Sequence, residues 1–132
     1  MIFDLWVCDS FKGWKLNEID MKKRTKRFAL DIIRLVAELP KTTEGRIVGG
    51  QLIRCATSVG ANYRAACRGK SKADFISKLG IVEEEADESC YWLELIIEGK
   101  ILPEEQVASL LEEANEITAI IVASRKTAGG SK

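Results

Sequence analysis

The chain contains no histidine. That absence removes the side chain that most often acts as general base, and with it Ser-His and Cys-His nucleophile pairs. It also removes the Glu-x-x-His ligands with which helical bundles hold paired metals. Proline occurs only at Pro40 and Pro103, so long uninterrupted helices are permitted almost everywhere. No G-x-x-x-x-G-K-[ST] run is present, and "RIVGGQL" follows no strand pattern, so a glycine-rich phosphate cradle has no support. The start "MIFDLWVCDSFKGWKL" lacks a basic leader and a long apolar core, and no segment reaches membrane-spanning length. Cys8, Cys55, Cys67 and Cys90 include no C-x-x-C pair, and three of them fall among apolar residues in helical patterns. Buried free thiols in a reducing cytoplasm are the expectation, and the protein is expected to be cytoplasmic, without cofactor and without enzymatic activity.

What remains is a soluble composition with an uneven charge pattern. At 132 residues, 46% hydrophobic and 30% charged, the chain has the size of one domain that can bury a core unaided. Twenty Lys/Arg balance twenty Asp/Glu, so bulk attraction to a charged partner is excluded. The distribution is polarised: residues 41–78 carry eight basic against two acidic side chains, whereas residues 79–116 carry twelve acidic against Lys100 alone.

Residues 1–20 hold two of the three tryptophans and no sustained period, and read as an extension without a fold of its own. A second reading takes Phe3, Val7, Phe11 and Trp14 as a short amphipathic anchor. Residues 21–128 read as one domain and 129–132 as a disordered tail. From about Lys22, the set Phe28, Ile32, Leu35, Leu39 steps by four, three and four, which predicts a helix that Pro40 ends. A second helix is predicted from Thr43 or Glu44 to Arg68. It has two adjoining stripes: Val48, Leu52, Cys55, Val59, Asn62, Ala66, and Ile53, Ala56, Gly60, Tyr63, Cys67. Together they span about 180° of the wheel, more than one neighbour buries, so several partners are expected for this helix, in the same chain or another subunit. Its small residues Ala56, Ser58, Gly60 and Ala61 would admit a close backbone.

Gly69 stands where a helix end is expected, and Ser71 with Asp74 forms a capping pattern for a third helix. In that helix Phe75, Leu79, Val82, Ala86, Ser89, Leu93 and Ile96 keep strict phase. Gly99 stops it. Pro103, Glu104 and Glu105 open a fourth, which buries Val107, Leu110, Ala114, Ile117 and Ile121, after which "TAGGSK" is expected to fray. Short connections then predict an all-α, antiparallel up-down-up-down four-helix bundle.

The run "EEEADES" from Glu83 could suggest a metal site, but Glu83, Glu84, Asp87, Glu94 and Glu98 lie away from the Phe75 stripe, so a solvated or inter-subunit acidic face is the expectation. On the second helix Arg46, Arg54, Arg64 and Arg68 share an arc of about 80°. Lys70 and Lys72 extend this basic zone through the turn, and "KKRTKR" from Lys22 adds a second cluster. Arginine forks at this spacing suit the phosphates of RNA or DNA; they equally suit the acidic face of a neighbouring subunit. Tyr63 falls on the apolar side, so no aromatic is placed to stack bases, and any binding would be directed at the backbone and sensitive to salt. Asn62, Tyr63, Ser89 and Trp92 are candidates for packing specificity or oligomer contacts, Asn62 and Ser89 because they are polar within apolar stripes. Tyr91 beside the acidic face supports the competing reading, a protein-binding scaffold or adaptor with no nucleic-acid activity.

The run "SVGANYRAACRGKSKADFISKLGIVEEEADESCYWLELI", with "LPKTTEGRIVGGQLIRCATS" before it, resembles the 23S rRNA-intervening sequence proteins, bacterial four-helix bundles encoded within large-subunit ribosomal RNA genes. The likeness covers Met21 to Ala123 and rests on Gln51, Ser58, Ala61-Asn62, the glycine-serine turn with Phe75, and Glu85 to Leu93. The resemblance implies a ring-like homopentamer and no enzymatic activity. It extends to accessory proteins of diversity-generating retroelements, which implies binding of nucleic acid and a reverse transcriptase through basic surface. Many members carry Glu-Gly a little after the asparagine. This chain has Arg64, Ala65, Ala66 and Cys67 instead, which leaves the turn intact and makes the region more basic.

Overall fold

Four α-helices account for nearly all of residues 18–130, the part of the chain that the computed structural model describes. They are α1 (Glu18–Ala37), α2 (Thr43–Cys67), α3 (Lys72–Glu98) and α4 (Glu104–Ala128), and no strand occurs among the described residues. Each helix packs on the next in the chain and α1 also meets α4, so the four close around one core as a bundle. The expected stripes make that core: Phe28, Ile32, Leu35 and Leu39 from α1 and its following turn; Val48, Leu52, Cys55 and Val59 from α2; all seven α3 positions from Phe75 to Ile96; and Val107, Ala114, Ile117 and Ile121 from α4.

The wide apolar face of α2 is covered within the chain. A methyl group built on Gly49 would lie 2.9 Å from Val36 Cγ1, and one on Gly60 would lie 3.2 Å from Thr25 Oγ1, so these two glycines let α1 seat against α2. On the other flank Cys55 turns toward α3, where the Ser89 hydroxyl lies 3.3 Å from Cys55 Sγ, and Val59 and Ala66 are buried. Asn62 departs from its stripe. It is half-buried, and its amide donates to the Ser58 carbonyl at 2.9 Å within its own helix.

Helix ends follow local chemistry. Thr42 Oγ1 accepts from Gly45 N at 3.1 Å and Ser71 Oγ accepts from Asp74 N at 3.0 Å, each capping an orphan donor. Asp74 Oδ2 in turn accepts from Lys70 N at 3.1 Å, tying the α2–α3 turn together. Gly69 is not in the left-handed region; its role is space, since an added Cβ would sit 3.0 Å from the Ala66 carbonyl and 3.2 Å from Phe75 N. After α3 the left-handed residue is Lys100, at φ 56°, and not Gly99. Lys100 N donates to Ile97 O and Ile101 N to Ile96 O, the paired bonds of a Schellman ending.

Two boundaries differ from the periodicity. Glu18 to Asp20, assigned by periodicity to the extension, form the first turn of α1, whose Glu18 accepts from Lys22 at 2.7 Å; the rest of the extension, with Cys8 and the proposed anchor residues, lies outside the described residues. The expected fraying after Lys126 is corrected: α4 continues to Ala128, which is buried, and Gly129 N still donates to Arg125 O at 3.0 Å. A small apolar side chain that finds the core keeps the last turn wound, an effect invisible in a tail read for its glycines. No helix among the described residues is long and apolar enough to cross a membrane.

Candidate nucleic-acid interface

Folding divides the arginine arc of α2. Arg54 leans to α3, where its guanidinium pairs with Glu88 and, at 3.3 Å, with Glu85. Glu88 also accepts from the Trp92 indole at 3.1 Å, and Tyr91 meets Trp92 edge-on with centroids 5.2 Å apart. Arg54 is thus part of an intrachain network along the α2–α3 seam, and its charge is already matched. Arg64 turns the other way and lines the seam with α1, together with Lys22 and Lys26. Arg46, Arg68, Lys70 and Lys72 are exposed, and none of them, nor Arg64, forms an ion pair among the described residues. The basic surface therefore loses one candidate, Arg54, and gains Lys26 from the "KKRTKR" cluster, with Lys22 beside it already paired to Glu18.

The acidic face is partly committed as well. Glu83 pairs with Arg125, and Glu113 and Glu116 hold Arg24. The Arg24 fork donates to both Glu113 oxygens, at 2.7 and 2.8 Å, joining α1 to α4. Glu84, Asp87, Glu94 and Glu98 stay exposed along α3. Of the remaining candidates, Tyr63 is buried, Trp92 is half-buried at the seam, and Ser89 is fully buried, donating to the Glu85 carbonyl at 2.9 Å. The three described thiols, Cys55, Cys67 and Cys90, are buried. Burial pushes the Cys55 and Cys90 thiols above their ordinary range, which suppresses the thiolate and hence reactivity.

Two carboxyls are held below their ordinary values. Arg54 first, then the Trp92 indole, lower Glu88; Lys78 first, then the Lys70 amide, lower Asp74. A carboxyl depressed in the folded state stabilises the fold above its unfolded value, and that contribution disappears as pH falls through the folded value. The stability of the bundle should therefore decline as pH falls below about 4.5, the ordinary value for glutamate. Glu88→Gln should flatten that acid arm in a series of urea melts, and an unchanged slope would show that the seam carries no pH dependence.

None of the missed partners was encoded locally. Arg24 and Glu113 are separated by 89 positions, and Arg54 and Glu85 by 31. Only the repeated "KKRTKR" charges pointed to α1 as a contributor to the basic surface.

The comparisons with known proteins agree with this architecture. The 23S rRNA-intervening sequence protein family profile matches residues 17–123. A crystal structure of a protein of unknown function from the S23 ribosomal protein family of Bacteroides thetaiotaomicron VPI-5482 superposes with a TM-score of 0.76 at 35% identity, covering 83% of this chain and 97% of that one. No curated protein matches the sequence. With four helices closing one core and a family match spanning most of the chain, the protein belongs to the 23S rRNA-intervening sequence protein family.

Proposed function

We propose that the protein is a non-enzymatic, cytoplasmic bundle, arranged up-down-up-down, that assembles as a homopentamer and binds RNA or DNA electrostatically. The observation that carries the binding reading is that Arg46, Arg64, Arg68, Lys70 and Lys72 are exposed and lack ion-pair partners among the described residues, in a chain whose other arginines are largely matched by carboxylates. Cations left unmatched at neutral net charge are suited to phosphates. The antiparallel order is supported by the pairing of Gly49 with Val36 and of Gly60 with Thr25. Assembly is supported by exposed Leu30, Ile33, Ile47 and Ile81. The number five comes from the family resemblance.

Titration with unlabelled structured RNA at low and moderate salt tests the reading. Affinity should fall steeply with salt, and R64E/R68E should weaken binding by more than about tenfold and reduce the salt slope by about two. Unchanged binding in that variant would exclude this surface. The scaffold reading keeps one observation of its own, Tyr91, which is 54% exposed beside Glu84, Asp87 and Glu94; a protein that binds a partner and shows no affinity for RNA would favour it.

A further inference from the structure

A shallow groove of about 200 Å³ runs between α1 and α2, lined by Lys22, Lys26, Arg64 and the small residues Ala29, Thr57, Gly60 and Ala61, with Thr25 at its base. Its depth has a cause in the packing. Gly60 lies against Thr25, so the two helix backbones approach there, and no long side chain rises from the floor. The cations stand at the rim. Lys22 is matched by Glu18 at 2.7 Å, whereas Lys26 and Arg64 are exposed and unpaired among the described residues. Three positive groups facing one small concavity repel each other, and one carboxylate does not offset them.

We infer that this groove is a phosphate seat, in which Lys26 and Arg64 hold the oxygens of one phosphate from either side with Lys22 adding charge, while the alanine and glycine floor admits the group close to the helices. The inference rests on the proposed nucleic-acid reading and gives it a location: a strand would cross at the α1–α2 seam and continue toward Arg68, Lys70 and Lys72. Recognition falls to the cations alone. The Thr57 hydroxyl donates to the Ile53 carbonyl at 2.7 Å and the Thr25 hydroxyl to the Met21 carbonyl at 2.9 Å, so neither proton is available to a phosphate oxygen. Apart from the cations, which a phosphate would engage, the lining side chains are apolar or are hydroxyls already committed to carbonyls, so the seat is expected to be indifferent to sequence. The same chemistry would accept a backbone phosphodiester or a free polyphosphate.

The test compares K26E with K41E, each reversing one exposed lysine, so that bulk electrostatics change equally and only the position differs. Circular dichroism and thermal melting establish that both variants are folded. Binding is read with poly-U RNA by anisotropy and with inorganic pyrophosphate by phosphorus NMR line broadening. K26E should weaken poly-U binding by about five- to tenfold and abolish pyrophosphate broadening, whereas K41E should change poly-U affinity by less than about threefold. If K26E weakens poly-U while pyrophosphate binds neither variant nor the parent chain, the seat takes backbone phosphate only. If K26E and K41E behave alike with both probes, the seat is overturned, and retained binding of poly-U by the parent chain would leave the wider reading standing. If the parent chain binds no RNA, the proposed function fails, and the pyrophosphate comparison still decides the groove: broadening lost in K26E sustains it, and no broadening in the parent chain overturns it.

Discussion

Phe75→Ala should destabilise the bundle by about 3–5 kcal/mol, seen as a lower urea midpoint with an unchanged slope. Phe75 is 1% exposed and, with Phe28, is among the largest fully buried side chains. It stands in the first turn of α3, immediately after the capped turn from α2. The cost of such a truncation depends on how far the surroundings can collapse into the space left. Collapse is restricted here from three directions. Ser71 O accepts from Phe75 N at 3.0 Å, Asp74 bridges back to Lys70 N, and Gly69 already packs so closely that an added Cβ would lie 3.2 Å from Phe75 N. A cavity therefore persists, and the loss would remove a large share of a typical domain stability of about 5–15 kcal/mol. Ile47→Ala provides the contrast: Ile47 is 58% exposed, and its loss should stay within about 0.5 kcal/mol in the isolated chain. A Phe75→Ala loss below about 1 kcal/mol would mean that the α2–α3 turn is far less constrained than its hydrogen bonds indicate.

One substitution at two glycines of α2 should have opposite signs. In Gly45→Ala the new methyl would fall 2.2 Å from the Pro40 carbonyl oxygen and 3.1 Å from Thr42 Oγ1. The obstacle is backbone, at the turn where Pro40 closes over the start of α2, and it cannot swing aside as a side chain could. Relief requires moving the α1–α2 turn, with strain of Gly45 N on Thr42 Oγ1, the bond that caps the helix. A loss of about 2–3 kcal/mol is expected. Gly50 lies five residues on, exposed and with no atom within 4 Å of an added Cβ. There Gly50→Ala should stabilise by about 0.5–1 kcal/mol, because alanine restricts the unfolded chain and favours helix without meeting anything. Thermal melts of the two variants should shift in opposite directions, and a shift of the same sign would contradict the close approach of Pro40.

Much of the fold was legible because its determinants are short-range. The α3 stripe from Phe75 to Ile96 is buried at every expected position, including polar Ser89, because a period set by backbone geometry needs no knowledge of neighbours. The caps at Thr42 and Ser71, and the stops at Pro40 and Gly99, act within four residues. The turn after α3 was legible only in outline: Gly99 marked it, but the left-handed conformation fell on Lys100, where the Schellman bonds of Ile101 and Lys100 required it. For the candidate interface, the wheel placed Arg54 and Arg64 on one arc. An 80° arc viewed from α2 alone does not say that one edge faces Glu85 and Glu88 and the other faces Lys22 and Lys26.

The sequence by itself determined four helices, most of their core faces, the caps at Thr42 and Ser71 and an excess of positive charge between residues 41 and 78, since each depends on residues a few positions apart. Only the tertiary structure decided which of those charges are matched. It put Arg54 against α3, Arg24 against α4 and Arg125 against Glu83, and it left Arg64 beside Lys26 over a floor opened by Gly60. The reason is physical: an ion pair forms between side chains that packing brings within a few ångströms, and packing is set by apolar faces that carry no record of the charges on their rims.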